Sequence, residues 1–428
     1  MKTIVKSIAL TILLCITAIS CEKGGLGGSS ASKIKETWKA ENGVATVING
    51  QSITLPPNNE VWVWVKESSI NSLFAHDEVT IYGFRTNDIE YKAQSYKLYK
   101  DGDLYVASIK FDSSTPLTEI QDFCVVLYTT ETTAFTGNYL SFTEIKKISF
   151  PESVSWVWLR NLDELEYAYF GNNLRYIYMS DLPSLKEVYI PTIPNVIDDE
   201  GFSTTECGRL SLNCPNLEKL DIPNNWSHWY VASDKLTSIK VGACEVYEFG
   251  EIIGAGCSGE IECPNLTQIE FSGQPTDLDI TIASDELTEL TTPNTVKSFK
   301  GDIRGRKVSQ ISFSESINYA SLEATCPTLT SIELPEGVEG IYISVEESSI
   351  SEITIPSTAH RLSLFINSTG SPRLNIYCKP TTPPSAGIST VGYDHATLYV
   401  PSDSYNAYLY SDIFNFDEQT LDIKPYNF

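Results

Sequence analysis

Apolar residues recur along this chain at a spacing that neither one helix nor one isolated strand produces. In Leu329, Ile332, Leu334, Pro335 followed by Val338, Ile341, Ile343 they take positions 1, 4 and 6, then 10, 13 and 15. The template returns 21 residues later as Ile350, Ile353, Ile355, Pro356 with Ala359, Leu362, Leu364, and 21 residues earlier as Val308, Ile311, Phe313 with Ile317, Ala320, Leu322. Alternation at period two within each half predicts two short strands per copy, joined by turns. Further copies begin at Leu287, Leu266, Leu217, Leu185, Leu165 and Ile145, a partial copy begins at Leu236, and Leu374 with Ile376 carries the register on, so about ten or eleven repeats fill residues 140–378. A unit this short cannot bury its own apolar stripe and must stack on its neighbours, which predicts a solenoid. Most steps are 19 to 21 residues, but those of 32 and 30 predict inserts around Thr192 to Asn213 and Gly242 to Cys263, projecting as loops.

Ahead of the repeats, residues 34–133 follow a different pattern. Apolar runs at Val61-Val63-Val65, Val79-Ile81, Leu104-Val106 and Cys124 to Tyr128 are separated by turns such as Pro56-Pro57-Asn58-Asn59 and Asp101-Gly102-Asp103. Strands this short and this densely spaced predict a small Ig-like β-sandwich. The expected fold class is mainly β: a solenoid of about 21-residue repeats with two short strands each, preceded by the sandwich and closed by a cap at 379–428.

Lys2 and Lys6, an apolar run from Ile8 to Ile19 and then Ser20 before Cys21 make residues 1–20 a signal peptide by pattern. The string Ala18-Ile19-Ser20-Cys21 resembles a bacterial lipobox, which implies that Cys21 becomes the lipidated first residue of the mature chain. Residues 21–33, with Gly24, Gly25, Gly27 and Gly28, have nothing to bury and read as a flexible tether. No other apolar run has the length to cross a bilayer. The lipid anchor is then the one membrane contact expected, at the outer membrane or cell surface.

Three segments carry a family resemblance. Cys-Pro-Asn-Leu-Glu-Lys-Leu-Asp-Ile-Pro at 214–223, Cys-Pro-Asn-Leu-Thr-Gln-Ile-Glu-Phe at 263–271 and Cys-Pro-Thr-Leu-Thr-Ser-Ile-Glu-Leu-Pro at 326–335 resemble the BspA-type leucine-rich repeat, over more than half of the chain. The ending, Leu398-Tyr399-Val400-Pro401, Ala407-Tyr408, then Phe414 and Phe416, is similar to the segment that closes such repeats in Bacteroidetes surface lipoproteins. The sequence departs from the pattern by placing a second strand where the family has a short helical stretch, so this leucine-rich-repeat solenoid should be nearly all β. The resemblance implies an exported surface protein engaged in adhesion or protein–protein contact, and leaves the ligand open.

Charge narrows the partners. With 30 basic against 55 acidic residues and a formal charge of −25, the chain lacks the cationic footprint that a phosphate backbone needs, so nucleic acid is not expected. Its four histidines, His76, His228, His360 and His395, stand in no metal-binding or catalytic motif. Acid pairs such as Asp198-Asp199-Glu200 or Asp277 with Asp279 lack the spaced oxygen ligands of a calcium loop. Neither an enzyme, a metal nor a cofactor is expected.

Cys214, Cys263 and Cys326 share one slot, three residues before the first apolar position, which holds Phe142, Leu162 and Leu182 in other repeats, so these thiols should be buried and free. Cys207, Cys244 and Cys257 lie in or beside the inserts, where one disulfide is expected and its pairing is open.

The aromatic residues are the sharpest anomaly. Outward slots of the second strand hold Trp156 and Trp158 in one repeat and Tyr176 and Tyr178 in the next, where later repeats place Asp277 and Asp279 or Ser298 and Lys300. Tyr169 and Tyr189 occupy outward slots of first strands. Large aromatic side chains facing water mark a contact, and these six are the candidate ligand-binding residues. The contact is either an extracellular protein or glycan, the latter as in a nutrient-uptake lipoprotein, or a joint with the amino-terminal domain. Trp226 and Trp229 fall instead on inward slots and belong to the core.

Overall fold

A computed structural model of the chain describes residues 44–48, 51–66, 78–86, 89–111, 119–120, 124–128, 145–196, 198–200, 207–248, 251–368, 373–411 and 421–428. The leader, Cys21 and the tether lie outside these residues. The protein is mainly β, with 53% strand against 3% helix, and carries a parallel β-solenoid of about 12 turns of about 21 residues. Turns contribute one strand to a long parallel sheet and one to the opposite side, where the strands fall into three separate sheets; two strands per turn is what the alternation predicts. The chain divides into two compact units, residues 1–193 with 208–221, and 194–207 with 222–428.

In the first unit one parallel sheet contains Trp156–Arg160, Tyr176–Ser180 and Gly208–Asn213, with the short strand Glu119–Ile120 beside Trp156. The other contains Ile145–Ser149, Tyr167–Tyr169, Glu187–Tyr189 and Lys219–Ile222. Alternate residues point inward: Val157, Leu159, Ile177, Met179, Leu210 and Leu212 from the first sheet meet Ile148, Ala168, Val188 and Leu220 from the second, all buried. Phe150 and Phe170 stack on consecutive turns with centroids 5.5 Å apart. Asn161 and Asp181 take positive φ where their strands end, a backbone state that short polar side chains tolerate.

The amino-terminal strands continue this second sheet. Glu60–Lys66 runs antiparallel to Ile145–Ser149 on one side and to Leu104–Phe111 on the other, and Ile89–Asp101, Glu78–Thr86 and Cys124–Tyr128 follow in antiparallel order. Val44–Ile48 and Gln51–Leu55 make a separate hairpin. Among the described residues the amino-terminal antiparallel strands thus form one extension of the solenoid sheet plus a hairpin.

In the second unit the long sheet runs from Trp226–Ala232 through Glu251–Glu262, Asp277–Ala283, Ser298–Arg304, Tyr319–Thr325, Gly340–Ser348 and Arg361–Ser368 to Ser385–Val391. Strands such as Glu289–Thr291, Gln310–Ser312 and Ser331–Glu333 build the opposite side. The coil continues past Cys378: Arg373–Cys378 pairs in parallel with His395–Pro401, and that strand with Leu421–Tyr426. The short helix Tyr405–Leu409 closes this end with Tyr408, fully buried, donating its hydroxyl to the Pro380 carbonyl at 2.7 Å.

The Cys-Pro-Asn/Thr-Leu corners have a physical reading. Each cysteine and leucine is buried, and the leucine N–H closes a turn on the cysteine carbonyl at 3.0 to 3.1 Å. Asn216, Asn265 and Thr328 donate to a carbonyl of the preceding turn, those of Pro183, Asp234 and Arg306, at 2.6, 2.7 and 2.9 Å. The corner therefore both packs and ties one turn to the next.

Core volume is matched between neighbours. Trp229 is 3% exposed, and its ring fills the space that the missing side chain of Gly259 leaves on the adjacent strand, where a Cβ would overlap it. Gly301 leaves room for the ring of Phe299, two residues earlier on its own strand. Large residues facing small ones are what close packing of stacked layers requires.

Candidate binding face

The first unit places the sequence-predicted aromatic residues with the expected parity. Trp156, Trp158, Tyr176 and Tyr178 all lie on the outward side of their strands, flanking buried Val157, Leu159, Ile177 and Met179. Strand pairing sets Trp156 opposite Tyr176 and Trp158 opposite Tyr178. The rings meet edge to face, with centroids 6.3 Å apart at 66° and 5.0 Å apart at 70°. That geometry suits the ring quadrupoles and gives the four side chains one fixed arrangement. Tyr178 is the most open, at 39% exposure.

The six candidates do not form one patch. Tyr169 and Tyr189 sit on the other sheet, stacked at 5.7 Å and 15° with Tyr167 alongside, and the Lys147 ammonium lies 5.2 Å from the Tyr167 ring. Burial pushes the Tyr169 hydroxyl up to about 12, with Tyr189 adding to the effect, so it stays neutral at physiological pH. Four residues thus define one face, and two belong to another.

Two arginines complete the first face and were missed by reasoning on aromatic residues alone. Arg160 ends the Trp156 strand with its guanidinium over the Trp158 ring, 5.4 Å from the centroid. Arg209 is exposed on the next strand, in register with Tyr176, and makes no ion pair among the described residues. Arg160 follows from the alternation that placed the aromatic residues; Arg209 does not, because it lies in a span read from spacing as a projecting insert, and Gly208–Asn213 is instead a strand of the sheet. The Trp158 Nε1 atom is covered and has no acceptor among the described residues, an arrangement costing about 1–3 kcal/mol.

The expected core tryptophans are in the core: Trp226 and Trp229 are buried, and Tyr230 points outward to donate to Glu262 at 2.6 Å. Cys214, Cys263 and Cys326 are buried and free, as their shared slot predicts, but they are not consecutive. Ser233, Ser284 and Gly305 occupy the intervening corners, and the Cys263 and Cys326 thiols point to the Val231 and Ile303 carbonyls. Burial pushes the Cys214 thiol up to about 12 and those of Cys263 and Cys326 up to about 11, so none is a thiolate at neutral pH.

The two spans expected to project as loops do so only in part, since Gly208–Asn213 and Glu251–Glu262 within them are strands of the long sheet, and a disulfide joins the two spans. Cys207 pairs with Cys244, Cα atoms 6.4 Å apart, while Cys257 stays buried and free. Asn195 from the first insert donates to Glu245 at 2.8 Å and accepts from Asn225 at 2.7 Å, and Asn224 donates to the same glutamate at 3.2 Å. The hairpin of Cys244–Glu248 against Glu251–Glu262 carries the second half of this clamp. Among the described residues no group of three His, Cys, Asp or Glu side chains is arranged to hold a metal ion, and no helix is long and apolar enough to cross a membrane.

No protein-family model matches the chain, and no curated protein or solved structure is significantly similar to it.

Proposed function

We propose that this protein is an exported, lipid-anchored surface protein of the BspA-like leucine-rich-repeat type, and that it binds an extracellular protein through the outward aromatic face of its first turns, without catalysis. The observation that carries the reading is the set Trp156, Trp158, Tyr176 and Tyr178, held edge to face on the solvent side of adjacent strands with Arg160 beside them. Tryptophan, tyrosine and arginine are the three residue types that dominate protein–protein hot spots. The Cys207–Cys244 disulfide supports an oxidising, extracytoplasmic location. Cys21 supplies the anchor and residues 34–133 an Ig-like sandwich in this reading, with the solenoid displayed beyond the tether.

The test has two arms. Cys21→Ala is expected to move the mature protein from the membrane fraction to the soluble one, and unchanged membrane association would refute the anchor. Trp156→Ala with Trp158→Ala is expected to weaken binding in a panel of extracellular proteins by a few kcal/mol while leaving the circular dichroism unchanged. If deleting residues 31–133 instead makes the full aromatic face bind hydrophobic dye for the first time, the face is an internal joint and the reading fails.

A further inference from the structure

We propose that the second unit carries a separate site for a neutral polysaccharide, laid diagonally across the outward face of strands Tyr319–Thr325, Gly340–Ser348 and Arg361–Ser368. The alternation that buries Leu322, Ile343 and Leu364 sends their neighbours outward. Register aligns Tyr319 with Gly340 and Arg361, Ser321 with Tyr342 and Ser363, and Glu323 with Ser344 and Phe365. The aromatic residue thus advances by two positions on each strand, and Tyr319, Tyr342 and Phe365 form the diagonal of this block of nine. On the next strand, Ser385–Val391, the line continues to Val391. Tyr319 and Tyr342 are 48% and 40% exposed. Large side chains open to water along one line mark a contact.

What borders the line decides its chemistry. The four positions of the block next to the diagonal are Ser321, Gly340, Ser344 and Ser363. The Tyr319 ring lies over Gly340, where a Cβ would come within 2.9 Å of it. The hydroxyls of Ser321, Ser344 and Ser363 make no hydrogen bond among the described residues, whereas corner hydroxyls such as those of Ser284, Ser314 and Thr358 donate to backbone carbonyls. Serine is depleted at protein interfaces and their hot spots, which disfavours a protein here. A sugar suits the pattern: its C–H face packs on the electron-rich face of an aromatic ring, and its rim of hydroxyls pairs with short neutral donors and acceptors. The charged members of the block, Glu323 and Arg361, stand at its two off-diagonal corners and cancel. Lys300 and Asp302 on the adjoining strand are paired with Asp279 and Arg304. With ~4.8 Å between strands and ~3.3 Å per residue along them, the diagonal from Tyr319 to Phe365 measures about 16 Å, which calls for several linked sugar units.

An array of neutral, sialylated and sulfated oligosaccharides, with affinity electrophoresis of the full chain in gels of soluble β-glucan, galactomannan and amylopectin, tests this. The expected result is that a neutral glycan binds the wild type, and that Tyr319→Ala/Tyr342→Ala weakens it about tenfold or more. Ser363→Gln, which fills the position beside Tyr342 in register, should weaken it as well, and the free monosaccharide should not compete. Ser363 is exposed, so this variant decides the matter should the tyrosine pair disturb folding. Trp156→Ala/Trp158→Ala should bind the glycan as the wild type does. No neutral glycan bound, binding confined to acidic glycans, or binding kept by both the tyrosine and the Ser363 variants overturns the proposal and leaves the protein-binding reading standing. Glycan binding lost in the tryptophan pair and kept in the tyrosine pair puts the sugar on the first face and overturns both.

Discussion

Gly259→Ala adds one methyl group at a point where the Trp229 ring already fills the space. Gly259 is not among the glycines with positive φ, so alanine fits its backbone, and the stiffer unfolded chain favours the variant by about 0.4–1 kcal/mol. Against this, forcing a methyl group into a packed core costs about 1–3 kcal/mol. Trp229 is 3% exposed and on the inward side of its strand, with little room to swing aside. The larger effect should win, leaving the variant less stable by about 0.5–2 kcal/mol. In a Trp229→Leu background the obstruction is gone, and the same substitution should be stabilising. Urea unfolding of all four proteins, followed by circular dichroism, gives the coupling directly, expected at about 1–3 kcal/mol. An equal effect of Gly259→Ala in both backgrounds would show that the large-against-small pairing of Trp229 and Gly259 is not what packs this turn.

Inward and outward positions should differ sharply: Ile332→Ala and Ile353→Ala are each expected to cost about 2–5 kcal/mol in chemical unfolding, and the exposed Lys300→Ala about half a kcal/mol or less. Two carboxylates should respond to acid with opposite signs. Lys66 and Lys146 hold Glu164 below the usual range, so its contribution is present above the unfolded value and lost as pH falls through the folded one. Burial raises Glu152, with one oxygen unpartnered among the described residues, so folding gains stability as pH falls through its folded value. Thermal melts between neutral and acid pH should therefore show Glu164→Gln destabilising and Glu152→Gln stabilising at neutral pH, both differences fading on acidification. Cys207→Ser with Cys244→Ser removes a link of sequence separation 37 and should cost ~3–4 kcal/mol of stability by loop entropy, read by the same unfolding assay. Iodoacetamide followed by mass spectrometry should label none of Cys214, Cys257, Cys263, Cys326 and Cys378 in the native protein, and all five after unfolding.

The sequence by itself determined whatever depends on period. A 21-residue template with alternation inside it can be satisfied only by stacked two-stranded turns, because any other register would expose Ile332, Ile353 and Leu364. The same parity sent Trp229 inward and Trp156, Trp158, Tyr176 and Tyr178 outward, and it buried the three corner cysteines. What crosses between elements could not be read this way. Spacing does not say which cysteine of three meets Cys207, since a disulfide reports distance in space. Nor does it say that Tyr169 and Tyr189 face away on a second sheet, or that Arg160 and Arg209 share a face with four rings, because those groupings arise only when strands 20 to 33 residues apart come into register. The amino-terminal strands pair with Ile145–Ser149 through backbone hydrogen bonds, which carry almost no side-chain signature. The turn count failed at its carboxy end for a similar reason: beyond Cys378 the template dissolves, yet the exposed edge of the last strand still accepts His395–Pro401 and Leu421–Tyr426, and Tyr408 closes the core beneath them.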